Sequence, residues 1–408
     1  LHLEGSLFDR VEIAGPGFLN FFLRRSWFSD VLRCVRKEQG AYGKTNTGAG
    51  KRVLVEFVSA NPTGPMHVGN ARGGALGDSL AEILAWTGCD VQREFYVNDA
   101  GNQIEKFGCS LEARYLQIFK GNEIEFPEDG YQGEDIKDLA KEYADLNGDS
   151  LVNVSAEERK KALVDYALPK NIKKMQADME KYKIFYDKWF FESELHKSGA
   201  VKAVVDLLTK KGLTYEKDGA VWYKNKEVLT QKLLKEGKSQ KYIDNLELKD
   251  DVLIRQNGNP TYFTADIAYH KNKFDRGFTT LIDVWGADHH GHVMRMKGAM
   301  DAIGYDGDKL NVVLMQLVKL VKDGELVRMS KRTGKAIQLG DLLDEVPVDS
   351  ARFLFNTKEA NTQMDFDLDL AVSQDNQNPV YYVQYAHARI CSIFKSLAKE
   401  GISPRECT

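Results

Sequence analysis

Apolar and polar positions along this chain fall into blocks whose period switches between two and about three and a half. "RVLVEF", residues 52–57, is as apolar and β-prone as a strand buried on both faces. "ARGGALGDSLAEILAWTG", residues 71–88, repeats its apolar positions at helical spacing, with Leu76, Leu80, Ile83 and Leu84 on one face. The spacing predicts a strand over Val53–Val58, a helix near Val68–Trp86, a strand over Val91–Val97 and a helix over Gln103–Phe119. From Gly121 to about Asp250 the pattern loosens into Lys- and Glu-rich amphipathic segments, which read as an insertion. Alternation then resumes with a helix through "ADIAYHKNKF", a strand "TTLIDVWGA", a helix "GHVMRMKGAMDAIG" and a strand "KLNVVLMQLVKLV". The expected fold class is therefore α/β, a doubly wound parallel sheet split by an inserted α-rich subdomain.

The flanks look different. "VEIAGPGFLNFFL" is a strand-turn-strand pattern followed by an amphipathic helix from Ser26, and "GAYGKTNTGAGK" is a turn-rich linker. "NPVYYVQYAHARICSIFKSLAKEG" is helical by its spacing and opens a further unit. The expected boundaries are 1–40 for the end of an N-terminal unit, 41–120 and 251–375 for the halves of the sheet domain, 121–250 for the insertion, and 376–408 for the start of a helical unit. The opening "LHLEGSLFDR" has no initiating Met and no signal-peptide pattern, and reads as the middle of something longer.

Composition narrows the setting without naming a function. The 408 residues exceed one ordinary core, and 43% apolar with 28% charged residues is a soluble, globular balance. No stretch approaches the roughly 18 apolar residues that cross a bilayer, so no membrane partner is expected. Five scattered cysteines without a C-x-x-C pair argue against a disulfide framework or thiolate zinc site and for a reducing compartment, the cytoplasm. A net charge of −4 neither requires nor excludes nucleic acid, because phosphates need only a local basic patch.

The chemistry gathers in two places. "SANPTGPMHVGN", Ser59–Asn70, leaves a buried strand, bends through Pro-Thr-Gly-Pro and presents His67 where a helix begins. A helix starting beyond the carboxyl end of a parallel strand offers free N–H groups to an anion. Gly69, Gly73 and Gly74 there are expected to let a ligand approach the backbone, at about 1 kcal/mol each in helix stability. The alternative is a histidine in a turn that merely needs glycine and proline. The second place is "LVRMSKRTGKAI", Leu326–Ile337, a basic loop after a strand that suits a polyphosphate or, more blandly, is a solvated charge run.

Together "HVGN" and "RMSKR" resemble the HIGH and KMSKS signatures of class I aminoacyl-tRNA synthetases. The surrounding "VEFVSANPTGPMHVGNARGG", "REFYVNDAGNQI", "YFTADIAYHKNKF", "VWGADHHGH", "RMSKRTGKAIQLGDLLDEV" and "NPVYYVQYAHARI" resemble the arginyl-tRNA synthetase family over nearly the whole chain. The resemblance implies a Rossmann-like catalytic core, activation of L-arginine with ATP–Mg²⁺ as substrate complex, pyrophosphate release, and transfer to the 3′ end of tRNA(Arg). It implies an additional N-terminal domain, a helical anticodon-binding domain, a monomer, and no tightly bound metal or organic cofactor. It implies arginine contacts at Glu56, Asn61, Tyr262, Asp266 and His289. For ATP it implies His67, Gly69, Asn70, Arg72, Asp288, Met329, Ser330 and Lys331, with His67, Asn70, Arg328 and Lys331 carrying the catalysis by position and charge.

The carboxylates Glu56 and Asp266 suit a flat guanidinium, and internal salt bridging is their alternative. Asn70 stands where the second HIGH histidine is usual and cannot carry its charge; Arg328 keeps the charge of the first KMSKS lysine with different geometry. "DHHGH", Asp288–His292, crowds His289, His290 and His292 too closely in sequence to converge on one ion. "DLNGDSLVNVSA", Asp145–Ala156, fails as an EF-hand, with Ser150 at the glycine position and Ala156 at the glutamate position. "RKKALVDYALPKNIKKMQADMEKYK" reads as the solvated face of helices, with a tRNA contact as the weaker reading. A nucleotidylyl transferase without tRNA charging and a catalytically silent tRNA-binding paralogue are the competing functions.

Overall fold

The computed structural model describes residues 2–327 and 337–403. These divide into two compact units, one formed by residues up to Gly50 together with Ile83–Cys89, the other by the remainder. In the smaller unit β1 (Phe8–Ala14) and β2 (Phe18–Leu23) pair antiparallel and α1 (Ser26–Glu38) follows. Gly15 and Gly17 turn that hairpin at φ +57° and +87°, values an L side chain resists.

The chain continues with β3 (Arg52–Glu56), α2 (Val68–Trp86), β4 (Asp90–Val97), α3 (Asn102–Lys120), α4 (Glu134–Asn147), α5 (Ala156–Lys181) and β5 (Lys188–Phe191). Then come α6 (Glu192–Lys197), α7 (Ala200–Lys210), β6 (Thr214–Lys217), β7 (Ala220–Tyr223), α8 (Asn225–Lys235), α9 (Gln240–Asp244) and β8 (Asp251–Ile254). Next are α10 (Tyr262–Asp275), β9 (Thr280–Gly286), α11 (His290–Ile303) and β10 (Leu310–Met315). The last are β11 (Val318–Lys322), β12 (Glu325–Val327), α12 (Leu339–Glu345), α13 (Val348–Phe355), β13 (Met364–Asp367), α14 (Leu368–Val372) and α15 (Pro379–Lys399).

The central sheet has five parallel strands in the order β10-β9-β3-β4-β5. Chain order therefore runs one way from β3 through β4 to β5 and the other way from β9 to β10. The reversal lies between β3 and β9, where open α/β sheets bind ligands beyond their carboxyl ends. Val53, Leu54 and Val55 of β3 are fully buried, as a strand covered on both faces must be. One face packs Leu54, Tyr96 and Leu281 against Val204, Ile267 and Met296 from α7, α10 and α11. α3, α4 and α5 form their own core around Phe107, Tyr115, Ile136 and Leu163. α5 begins with a reciprocal cap in which Ser155 and Glu158 satisfy each other's end of the helix.

Three expectations change. β3 ends at Glu56 rather than Val58, because Val58 and Ser59 adopt φ +71° and +45° and leave extended geometry. The stretch read as one insertion between residues 121 and 250 supplies β5 to the central sheet, where Glu94 pairs with Lys188 and Val97 with Phe191. Four residues, "KWFF", are too short for periodicity to separate them from the helices around them. The single strand read over "KLNVVLMQLVKLV" breaks after Met315: β10 closes the parallel sheet, whereas β11 pairs with β12 and β13. At the break the buried Arg72 guanidinium donates to the Gln316 carbonyl, and Gln316 N–H to Ala360 O, which turns the chain into another sheet.

Candidate functional site

The segment after β3 is wound tightly. Ser59 N–H donates to Phe57 O at 3.1 Å, closing a three-residue turn around Val58 at φ +71°. Such turns are rare, and a β-branched residue at positive φ costs about 1–3 kcal/mol, which neighbours must offset. The neighbours do so: Tyr186 Oη donates to Phe57 O at 3.0 Å, Tyr96 N–H to Ser59 Oγ at 3.1 Å, and Asn171 Nδ2 to Pro62 O at 2.9 Å. The bend delivers Asn61 and His67 to the surface beyond the sheet.

His67 stands at the start of α2, and its N–H donates to Asn70 Oδ1 at 3.0 Å. The two basic-flanked motifs meet here through the backbone. Leu339 N–H donates to Met66 O at 2.9 Å, Val68 N–H to Ile337 O at 3.3 Å, and His67 and Gln338 form an antiparallel bridge. Residues 66–68 thus bind the chain directly after the second motif. Arg328, Met329, Ser330 and Lys331 lie outside the described residues. A cavity of about 660 Å³ opens at this junction, lined by Asn61, His67, Asn70, Lys174 and Gln338 among others.

The helix glycines do other work than the one expected of Gly74. A Cβ at Gly73 would meet Met315, at Gly74 it would come within 2.9 Å of Ile184, and at Gly77 within 2.2 Å of Phe57. Close packing of α2 uses Gly74 and Gly77, whereas a Cβ at Gly73 would make only ordinary contact with Met315 at 3.5 Å and Gly69 faces open space. Arg72 is also removed from the ATP side. It is 1% exposed and its guanidinium donates to the carbonyls of Gln316, Thr362 and Glu359 at 2.8–2.9 Å, so it braces backbone and has no free face.

A second cavity of about 510 Å³ lies beyond β4 and β5, lined by Asn102, Glu105, Glu192, His196, Arg255 and Tyr262 among others. Tyr262, the first residue of α10, is exposed into solvent on this side. Glu192, 4% exposed, accepts from Tyr96 Oη at 2.8 Å and lies 3.3 Å from His196 Nε2. Burial pushes its carboxyl above the ordinary range; hydrogen bonds from Tyr96 and His196 pull it back, and the negative charge of Asp266 pushes it further up. Asp266, one turn into α10, meets His292 Nε2 at 3.1 Å. His289 and Asp288 sit at the exit of β9, both largely exposed, with His289 near Trp285.

Glu56 is placed differently from the arginine contact expected of it. Its Oε1 accepts from Ser59 Oγ at 2.8 Å and its Oε2 from Lys273 Nζ at 2.5 Å, in a site where Lys273 is 0% exposed. Lys273 also donates to Asp283 Oδ1 at 2.8 Å, and Asp283 Oδ2 bonds His270 Nε2 at 2.7 Å. Glu56 thus already has a buried cation of its own in Lys273. Burial alone would raise the Asp283 carboxyl, but Lys273 and His270 outweigh it and hold it at about 2.

The comparisons with known proteins fit this geometry. A family model described as "tRNA synthetases class I (R), catalytic domain" matches residues 32–391. The arginine–tRNA ligase of Acetivibrio thermocellus is 55% identical over 98% of this chain and 68% of its own length, and that of Ruminiclostridium cellulolyticum is 56% identical over the same shares. The chain belongs to the class I arginyl-tRNA synthetases. A Campylobacter jejuni structure assigned to arginyl-tRNA synthetase superposes with a TM-score of 0.79 at 36% identity, covering 93% of this chain and 78% of that one. The Thermus thermophilus arginyl-tRNA synthetase shares the fold at a TM-score of 0.67 and 21% identity, covering 96% and 71%.

Charging tRNA is the known function of arginyl-tRNA synthetases, which are ligases. Glu192, which lines the second cavity, and Tyr96, which bonds it, are residues that the sequence reading passed over. For Glu192 a signal was present: "FFES" passes directly from a strand into a helix, but in a stretch read as insertion. No helix among the described residues is long and apolar enough to cross a membrane.

Proposed function

We propose that this chain activates L-arginine with ATP–Mg²⁺ and passes it to the 3′ end of tRNA(Arg), with the two cavities holding the two small substrates. The observation that carries the reading is the backbone junction of Met66–Val68 with Ile337–Leu339, the residues that end and directly follow the second motif. ATP lies along that junction, its phosphates at the start of α2 beside Gly69, with the His67 ring and the Asn70 amide donating. Asn70 spends its oxygen on the His67 N–H, which leaves its Nδ2 as the donor. Lys331 and Arg328 neutralise the charge that builds on the departing pyrophosphate. Asp288 and His289, at the exit of β9, face the nucleotide side, and Mg²⁺ arrives with ATP as part of the substrate.

Arginine enters the second cavity. Glu192 and Tyr262, which line it, take the guanidinium, with Asp266 one turn further along the helix of Tyr262, and Asn61, which lines the first cavity, takes the amino-acid backbone end. A buried carboxylate without a cation rejects citrulline, which brings no charge, and lysine, which lacks the planar fork. Residues 1–40 and 376–408 belong to flanking domains, the second helical and tRNA-facing. The protein works as a monomer in the cytoplasm; the unbridged Cys34, Cys89, Cys109 and Cys391 support a reducing compartment.

The test is pyrophosphate release by the full-length protein with ATP–Mg²⁺ and arginine, with and without total tRNA. Arginine-specific release that tRNA stimulates is expected. ATP binding without release for any amino acid overturns the reading.

A further inference from the structure

We propose that Lys273 is a positioning residue for arginine activation, bracing from beneath the strained bend that carries Asn61; the proposal rests on the function proposed above. The observations form one continuous chain of buried contacts. Lys273 Nζ sits between Glu56 Oε2 at 2.5 Å and Asp283 Oδ1 at 2.8 Å, so one cation ties the carboxyl end of β3 to β9 across the reversal of the sheet. Glu56 Oε1 accepts from Ser59 Oγ at 2.8 Å, which passes that hold to the left-handed bend two residues before Asn61. On the other side Asp283 Oδ2 bonds His270 Nε2 at 2.7 Å, and His270 Nδ1 bonds the carbonyl of Asp266 at 2.7 Å. The chain ends, therefore, on the bend before Asn61, which lines the first cavity, and on the backbone of Asp266, one turn into α10.

Lys273 itself is 0% exposed and touches no cavity, so it acts through others. A strained turn persists only where its surroundings over-determine it, and here the Ser59 hydroxyl is the handle by which the buried charges do so. Downstream, the bend is held separately by Asn171 on Pro62 and by Leu339 on Met66. Loosening the brace is therefore felt first at Asn61, while the junction of Met66 with Leu339 still holds the chain at His67.

The experiment measures tRNA-dependent ATP–pyrophosphate exchange by the full-length protein, with KM for arginine and for ATP read separately, together with thermal unfolding. Lys273→Met strands two buried carboxylates and lowers stability as well as positioning, so the decisive variants are Ser59→Ala, Glu56→Gln and their double. Each single is expected to raise KM for arginine about tenfold while KM for ATP stays near wild type. Because both act through one chain of contacts, the double should be no worse than the more severe single. An unchanged KM for arginine with only a lower unfolding temperature overturns the proposal, as does a double variant whose effects multiply. A wild type that binds ATP but exchanges nothing with arginine defeats the proposed function itself, and the brace with it.

Discussion

Glu56 and Glu192 are both buried carboxylates at the ends of strands in the same sheet, and they do opposite things. Glu56 has its cation built in: Lys273 is as buried as the sheet itself and sits against it. Among the described residues the side chains that bond Glu192 are neutral or weakly basic, the Tyr96 phenol, the Asn98 amide and the His196 imidazole, and Glu192 lines a cavity that also carries Arg255. A carboxylate removed from water demands a counter-charge. Where the protein supplies that charge, the pair is architecture. Where it leaves the charge out, the carboxylate is available to a cationic ligand, which the function proposed above takes to be arginine. Proximity to a recognised motif is the poorer guide, because Glu56 lies nearest the "SANPTGP" motif and is the structural one.

Four experiments press on that contrast. Lys273→Met should cost the most stability, about 3–5 kcal/mol in urea unfolding, because it leaves Glu56 and Asp283 buried without a cation. Equal stability of the variant and the wild type would remove the distinction between the two carboxylates. Glu192→Gln should leave stability nearly intact and lower kcat/KM for arginine on the order of a hundredfold, about 3 kcal/mol, with KM for ATP unchanged.

Gly77→Ala tests the packing reading of the helix glycines. Its new methyl would lie 2.2 Å from the ring of Phe57, which is 0% exposed and cannot retreat. A loss of about 1–3 kcal/mol in stability is expected. Gly69→Ala, facing open space, should match the wild type in unfolding and show any effect only in ATP use.

The smallest effect is a pH dependence. Burial raises the Glu192 carboxyl, and arginine remains protonated throughout the accessible range. Below that raised value a proton occupies the site and must leave before the guanidinium pairs. Affinity for arginine should accordingly be flat above the Glu192 pKa and fall by up to about tenfold per pH unit below it. Calorimetry across pH checks this, and the slope should vanish in Glu192→Gln.

Much of the frame could be read in advance. The helix at Val68–Trp86, the strands ending near Val97 and Gly286, and the two motifs that carry the resemblance all follow from local apolar spacing or from short contiguous strings. What escaped was whatever depended on distant partners. β5 is four residues whose strand character comes from pairing with β4, and the strand through Gln316 breaks because Arg72, far away in sequence, takes hold of its carbonyl. Arg72 itself reads as a phosphate ligand from its place beside "HVGN", yet three backbone carbonyls consume it.

The sequence alone therefore determined the family, the alternating sheet and the two segments that carry the chemistry, since each is encoded within a few consecutive residues. Only the tertiary structure decided which polar groups face the substrates. Glu56, Arg72 and Glu192 are chemically ready for binding in any linear reading. Their roles differ because a buried charge is governed by whether its counter-charge arrives from elsewhere in the fold: Lys273, more than two hundred residues on, reaches Glu56, and nothing with a full positive charge reaches Glu192 among the described residues.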